Sequence, residues 1–224
     1  MNQWKLCRPY CPLFKSKSSK KETQMTQTKN AKVRNLIIAA MLTALGILIP
    51  AIMPAKIIIG PASFTLASHV PVMAAMFFSP VMTAFVAIGT TLGFMISTPV
   101  PTIWLRALMH LFVMTAGAYF LKKHPEIVHQ KVKIQIFNLV LGIFHAGLEA
   151  LIVYVFYAFG FATMDQAALL NLLLLIGFGG LVHSMIDFNL SLGLCNVLSK
   201  AFNIEIFERA KTFLSKDKIK VKTN

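Results

Sequence analysis

Long apolar runs separated by short polar stretches dominate this chain, and their spacing predicts six membrane helices. An apolar run of about 20 residues covers the roughly 30 Å hydrocarbon core of a bilayer, because a helix rises about 1.5 Å per residue. Proline and glycine mark the boundaries, since both residues favour turns. The predicted helices span Asn35–Met53, Thr65–Phe78, Val81–Ser97, Ile103–Leu121 and Ile134–Phe161, followed by a last apolar stretch at Ala167–Leu198.

Two parts of this pattern are irregular. The segment Thr65–Phe78 is short and is interrupted by Pro71, and the preceding Ala55–Phe64 contains a Gly-Pro pair that indicates a loop or re-entrant turn. The last stretch would measure about 48 Å as one helix, which is more than a bilayer needs. We expect it to break at Gly177–Gly180 into an outer helix and a crossing helix, and one long tilted helix is the alternative.

Composition supports an all-α membrane protein. Hydrophobic residues make up 56% of the chain and charged residues only 13%, whereas soluble domains have about 25% charged residues. The net charge of +14 would suit nucleic acid, but nine of the 22 Lys and Arg precede Asn35, four lie in Lys122–Lys133 and seven follow from Lys200 onward. Basic residues that flank membrane segments on one side follow the positive-inside rule and attract anionic lipid. The pattern predicts cytoplasmic termini and no nucleic-acid partner.

The polar ends complete the domain prediction. Residues 1–34 are expected to form a basic, disordered cytoplasmic arm, residues 35–202 the six-helix membrane domain, and residues 203–224 a basic cytoplasmic tail. The arm has no apolar core and no small-residue cleavage site, so it is not a signal peptide. Cys7, Cys11 and Cys195 match neither a disulfide framework nor a complete metal-ligand set, and we interpret them as incidental.

Ionisable residues lie inside three of the predicted helices, always four positions apart. The pairs are Arg106 with His110, His145 with Glu149, and His183 with Asp187. Residues four apart share one face of a helix. Ionisable groups in a bilayer are costly unless they face partners or a wet cavity. Three such pairs at similar depth, below the outer loop that contains Ser63, predict one shared polar pocket that opens outward.

Each of these residues also has a purely structural interpretation. Arg106 next to Trp104 could anchor its helix at the headgroups, or its planar guanidinium could bind a carboxylate. Each histidine could simply bond to a neighbouring helix. A buried carboxylate such as Glu149 or Asp187 needs a cation, several donors or a proton. We therefore expect both carboxylates to have a functional role or to hold a functional partner.

The same pairs keep a metal-dependent intramembrane hydrolase open as a less favoured alternative. His-x3-Glu and His-x3-Asp each place two possible metal ligands on one helical face. However, Arg106 would repel a cation, and neither His-Glu-x-x-His nor Gly-x-Ser-x-Gly occurs. The sequence therefore predicts no metal site and no enzymatic activity.

Small residues mark possible contact faces between helices. Ala39, Ala40 and Ala44 lie on the first helix, with Ala40 and Ala44 one turn apart, and Gly89 and Gly93 lie on the third helix. Small residues allow membrane helices to approach closely. The first set could bind a partner protein and the second could serve internal packing.

These features resemble the substrate-binding (S) subunits of energy-coupling factor (ECF) transporters. Members of that family have six helices, cytoplasmic termini, an Ala-x3-Ala face on the first helix and a polar pocket formed by the later helices. Within the family, KIIIGPASFTLASHVPV (Lys56 to Val72) and ALMHLFVMTAGAYFLKK (Ala107 to Lys123) are most similar to the niacin-transporter branch. The resemblance covers about Val33 to Phe202.

The resemblance implies a multi-pass protein of the bacterial cell membrane that captures a vitamin, either niacin or another small metabolite. It would dock through Ala40 and Ala44 onto a membrane scaffold subunit that two ATPase subunits drive. The chain has no Gly-x4-Gly-Lys-Ser/Thr phosphate loop, so ATP would be used by those partners and no cofactor is expected here.

The predicted pocket suits nicotinate, a flat ring with one carboxylate and one ring nitrogen. Arg106 is expected to bind the carboxylate, a histidine or Asp187 to meet the ring nitrogen, and Trp104 or a phenylalanine to stack on the ring. Glu149 is expected to orient His145 or to pair with Arg106. The candidate binding residues are Arg106, His110, His145, Glu149, His183, Asp187, Trp104 and Ser63.

Overall fold

The computed structural model describes residues 12–59, 62–97, 100–161, 163–201 and 204–222. Two compact units divide between Ile38 and Ala39, and the polar cavity described below is built from the second. The elements are α1 (Pro12–Ile52), β1 (Lys56–Ile59), β2 (Ala62–Thr65), α2 (Val70–Met76), α3 (Pro80–Ser97), α4 (Pro101–Lys123), a 3-10 turn (Pro125–His129), α5 (Lys131–Ala158), α6 (Gln166–Leu174), a π-helical turn (Leu175–Gly179), α7 (Gly180–Ala201) and α8 (Glu205–Lys222).

The described helices fit a bilayer. Four stretches are long and apolar enough to cross it, Asn30–Ile52, Pro101–Lys123, Lys131–Ala158 and Gln166–Lys200, and Pro80–Ile96 is a shorter apolar helix. Large apolar side chains are exposed all along these helices, which is expected where the solvent is lipid and not water. The prediction of a helical membrane protein is confirmed, with one two-stranded hairpin added to the helices.

The first helix begins earlier than predicted. α1 starts at Pro12 and not near Asn35, although its apolar part ends at Ile52, close to the predicted end. The residues before Asn30 are polar, but Lys, Glu and Gln are good helix formers. Hydropathy shows where a helix meets lipid, and it does not show where the helix begins.

The predicted second helix, Thr65–Phe78, is wrong in its first half. The expected loop at Ala55–Phe64 is largely an antiparallel hairpin of β1 and β2, with Lys56 opposite Thr65. Consecutive isoleucines in β1 favour a strand, and Pro71 stands in the first turn of α2, where proline is well tolerated. α2 has only seven residues and is about 10 Å long, and its buried side chains form part of the core.

The last apolar stretch does not break at Gly177–Gly180. The chain stays helical through α6, the π-helical turn and α7, so the alternative of one long helix is correct. Glycine allows a close contact at one position here: a Cβ at Gly179 would lie 3.1 Å from Phe64 Cζ, whereas one at Gly180 would make ordinary contact, 3.7 Å from Glu149 Oε2. The helix therefore passes close to the hairpin at its irregular turn.

Helices α1 and α3 pack closely through small residues. A Cβ at Gly89 would lie 2.5 Å from Thr43 Cγ2, and one at Gly46 would lie 2.5 Å from Thr90 Oγ1. The glycines of α3 therefore serve internal packing, one of the two uses the sequence suggested. On α1, Ala40 and Ala44 are exposed.

Candidate functional site

A polar cavity of about 290 Å³ lies among α1, the turn before α2, and helices α3, α4, α5 and α7. Small-molecule pockets usually measure about 300 to 1,000 Å³, so this cavity suits a ligand of one small ring. Its walls combine apolar side chains with a few charged and polar groups. The lining residues are Ile47, Pro50, Ala51, Thr65, Ser68, His69, Val72, Thr90, Phe94, Ile103, Arg106, Ala107, His110, Glu149 and His183.

A buried ion pair joins α4 to α5 at this cavity. Arg106 Nη2 donates to Glu149 Oε2 at 2.9 Å, and Arg106 Nε donates to the same oxygen at 3.2 Å. Both side chains are at least nine-tenths buried, because each lies on the inward stripe of its helix. Arg106 is therefore not an anchor at the headgroups. Its guanidinium lines the cavity with one edge held by Glu149.

The other oxygen of Glu149 faces two histidines. Glu149 Oε1 lies 3.6 Å from His110 Nε2 and 3.4 Å from His145 Nε2. The two imidazole rings stack with their centroids 4.8 Å apart. His110 lines the cavity, whereas His145 is fully buried behind it. The predicted pairing of Glu149 with Arg106 and its position beside His145 are thus both present.

His69 is a central residue of the site that the sequence analysis did not select. Its ring centroid lies 4.6 Å from that of His110, 4.9 Å from that of His145 and 4.7 Å from that of His183. The only indication in the sequence was one more histidine in an apolar region, just before Pro71. Its position depends on the turn that connects β2 to α2.

Asp187 holds that turn in place from α7. Its carboxylate accepts the backbone N–H of Ala67 and that of His69, both at 2.9 Å. Ala67 has a φ of 65°, a left-handed conformation that costs an alanine roughly 1–2 kcal/mol. Asp187 Oδ2 also lies 3.4 Å from His69 Nδ1 and 3.4 Å from His183 Nε2. Asp187 is fully buried and does not line the cavity, so it positions the residues that do.

Six of the eight predicted binding residues come together at this site: Arg106, His110, His145, Glu149, His183 and Asp187. Trp104 is half-buried on α4 and does not line the cavity. Aromatic rings come instead from Phe94, in the cavity wall, and from Phe64, whose centroid lies 5.8 Å from Arg106 Cζ. The side chain of Ser63 lies outside the described residues.

Two sets of side chains in this region could hold a metal ion. His69, His110, His145 and Glu149 form one set, and His69, His183 and Asp187 form the other. In each set the possible ligand atoms lie within 4.8 Å of one another. Because His69 belongs to both sets, they form one continuous polar cluster.

A second, larger cavity of about 620 Å³ lies between α4 and α5. It is lined by apolar side chains such as Phe112, Phe137 and Phe144, and Lys133 is its only charged lining residue. Phe112 and Phe144 are exposed, so this cavity opens toward lipid. Its chemistry does not suit a small polar ligand, and the smaller polar cavity is the better candidate.

The fold and the polar cavity define a helical membrane protein with a polar cavity of small-molecule size among its helices. No family model matches the chain, and no solved structure matches it. Among curated proteins, the niacin transporter NiaX of Lactococcus lactis subsp. cremoris (strain MG1363) is 77% identical over 214 residues, which cover 94% of this chain and 96% of that protein. This chain therefore belongs to the niacin-transporter branch of the ECF S subunits. It is a multi-pass transport protein of the bacterial cell membrane and not an enzyme.

Proposed function

We propose that this chain captures nicotinate in the polar cavity and delivers it as the S subunit of an ECF uptake transporter. The observation that carries the proposal is the guanidinium of Arg106, buried in a cavity of single-ring size within a chain 77% identical to a niacin transporter. A buried guanidinium is suited to a carboxylate because its N–H groups form a planar fork.

The cavity offers a matching group for each part of nicotinate. Arg106 uses Nε and Nη2 for Glu149, which leaves its Nη1 group for a ligand carboxylate. Phe94 and Ile103 supply apolar surface for the ring. His110 and His183 can meet the ring nitrogen, since a neutral imidazole both donates and accepts hydrogen bonds.

Orientation in the membrane follows from charge. We propose that the arm, the Lys122–Lys133 connector and the tail, which together hold 20 of the 22 Lys and Arg, all lie on the cytoplasmic side. The outer loops then hold Lys56 as their single basic residue. In this topology, the polar cavity receives its ligand from outside.

Binding of related ring compounds to the purified protein tests the proposed substrate. Nicotinate should bind with a Kd in the micromolar range or below, and nicotinamide, which lacks the carboxylate, should bind about 100-fold more weakly. The affinity for benzoate, which lacks the ring nitrogen, shows how much that atom contributes to binding. Isothermal titration calorimetry of the protein with this series, and with thiamine and riboflavin as unrelated vitamins, measures the dissociation constants to be compared. Equal or tighter binding of another vitamin would assign the cavity to that ligand.

We further propose that Ala40 and Ala44 dock this chain onto a scaffold subunit driven by two ATPases. Both residues are exposed, and small side chains allow another helix to approach closely. The double variant Ala40→Leu/Ala44→Leu should reduce cellular nicotinate uptake about tenfold or more while nicotinate affinity stays within about twofold.

The matched control for this variant is Gly147→Leu. Gly147 is exposed on α5, and an added Cβ would meet nothing within 4 Å. Uptake should therefore survive this change. Loss of nicotinate binding in the alanine variant, or equal loss of uptake in the control, would show that Ala40 and Ala44 are not a docking face.

A further inference from the structure

Three histidines and one glutamate form a compact buried cluster against the polar cavity. The ring centroids of His69, His110 and His145 lie between 4.6 and 4.9 Å from one another. Each of these residues and Glu149 can offer one ligand atom, and the four atoms lie within 4.8 Å of one another. Three imidazoles and a carboxylate are common ligands of zinc and similar divalent metals.

Two distances within the cluster are close to those around a four-coordinate ion. Glu149 Oε1 lies 3.6 Å from His110 Nε2 and 3.4 Å from His145 Nε2. Two ligands of a tetrahedral zinc ion, each about 2.0–2.1 Å from the metal, are about 3.3 Å apart. Two edges of the cluster therefore already have nearly the required length.

Several buried ring nitrogens in the cluster have no hydrogen-bond partner among the described residues. They are His69 Nδ1, His110 Nε2 and both ring nitrogens of His145. A buried polar atom without a partner costs about 1–3 kcal/mol, so a group of such atoms favours a bound ligand that satisfies them. A metal ion would accept lone pairs from His110 Nε2 and from one ring nitrogen of His145.

Asp187 gives the cluster an outer carboxylate. His69 Nδ1 lies 3.4 Å from Asp187 Oδ2, and the backbone N–H of His69 donates to the same oxygen. Histidine ligands of metals commonly direct one ring nitrogen toward a carboxylate, which orients the ring and leaves the other nitrogen for the metal. His69 has this arrangement.

The balance of buried charge also favours a cation. Arg106 contributes one positive charge, and Glu149 and Asp187 contribute two negative charges, with all three side chains buried. An anionic ligand would raise the excess negative charge further, which is costly in a low-dielectric site. A divalent ion together with one nicotinate would make the sum zero.

We propose that His69, His110, His145 and Glu149 bind one zinc-like divalent metal ion, which together with Arg106 holds the anionic substrate. The role toward substrate rests on the proposed function, whereas metal binding does not. The sequence analysis predicted no metal because Arg106 would repel a cation. In the structure Arg106 is held on Oε2 of Glu149 and the histidines face Oε1, so the negative charge of this carboxylate would lie between the guanidinium and the metal ion and offset their repulsion.

Metal content is the direct test. The full chain, purified without a polyhistidine tag from zinc-supplemented cells, should contain about one zinc per chain by inductively coupled plasma mass spectrometry. The variants His110→Gln and His145→Gln should contain less than about 0.1 zinc per chain. His124→Gln is the matched control, because His124 also lies 3.4 Å from a glutamate oxygen but is 41% exposed, and it should retain the metal. Protein loaded with Co²⁺ in place of zinc should show the visible absorption of a four-coordinate site, and this absorption should shift when nicotinate is added.

Chelation of the wild-type protein tests the role of the metal without relying on a variant to fold. Removal of the metal with phenanthroline should weaken nicotinate binding about tenfold or more, and Zn²⁺ but not Mg²⁺ should restore it. Metal-free wild-type protein that binds nicotinate with unchanged affinity would overturn the role toward substrate. Wild-type protein purified without metal and unable to take up Zn²⁺ would overturn the site itself. Failure of nicotinate to bind in either state would instead refute the proposed function, and the metal content would still decide the metal site.

Discussion

Replacement of Arg106 by alanine is expected to weaken nicotinate binding by about 100-fold or more, which corresponds to roughly 3 kcal/mol. The change removes the guanidinium that would bind the carboxylate. It also leaves Glu149 buried without its two hydrogen bonds from arginine, and an unpaired buried charge costs about 3–5 kcal/mol. Isothermal titration of the purified variant with nicotinate measures the affinity, and thermal unfolding of the same sample measures the effect on stability.

Further variants separate binding from folding. Arg106→Gln/Glu149→Gln removes both charges and keeps hydrogen-bonding groups, so it should regain much of the lost stability and still fail to bind nicotinate. Arg209→Ala breaks a more exposed arginine–glutamate contact of 3.8 Å on α8 and should change neither property. A loss of affinity smaller than about threefold in Arg106→Ala, roughly 0.7 kcal/mol, would show that Arg106 does not bind the carboxylate.

Replacement of Asp187 by alanine is expected to have a large effect on stability. The backbone N–H groups of Ala67 and His69 would lose their acceptor, and each unsatisfied buried group costs about 1–3 kcal/mol. The turn before α2, with its left-handed Ala67, would then have less to stabilise it. We expect the free energy of unfolding to fall by about 3–5 kcal/mol. Thermal unfolding in detergent, followed by circular dichroism, measures this change.

The matched control is an aspartate that accepts a single backbone N–H at an exposed helix end. Asp165 caps α6 by accepting from Ala168 N at 2.9 Å, and Asp165→Ala should cost about 1 kcal/mol. Asp187→Asn keeps one side-chain acceptor and should fall between the two alanine variants. If Asp187→Ala is no more destabilising than Asp165→Ala, Asp187 does not hold the turn in the way described.

The side-chain pairs within single helices were predictable because they depend only on helical spacing. His145 with Glu149 and His183 with Asp187 are four residues apart, and both pairs lie at 3.4 Å. The pairing of Arg106 with Glu149 was also predictable, since a buried carboxylate needs an opposite charge. The prediction that Trp104 stacks on the ligand did not use this geometry, since residues two apart point to nearly opposite sides of a helix and Trp104 does not line the cavity with Arg106.

The position of His69 could not be predicted from the sequence. It depends on hydrogen bonds between Asp187 and a turn about 120 residues earlier in the chain, and hydropathy does not report such contacts. The hairpin before that turn was missed for a similar reason. Its Gly-Pro pair predicted a loop or re-entrant turn at Ala55–Phe64, and hydropathy does not show that the residues on either side of this pair form strands. The start of α1 at Pro12 was missed because polar helices leave no hydropathic pattern.

The attachment of a turn near the start of the chain to a helix near its end has a mechanical consequence. Asp187 holds Ala67 and His69 through bonds of 2.9 Å, and a sliding motion of about 1 Å between the two elements would break them. Any rearrangement that frees the substrate must therefore either carry the turn along with α7 as one rigid piece or release both amides at once. In both cases, the wall of the polar cavity and α7 move together.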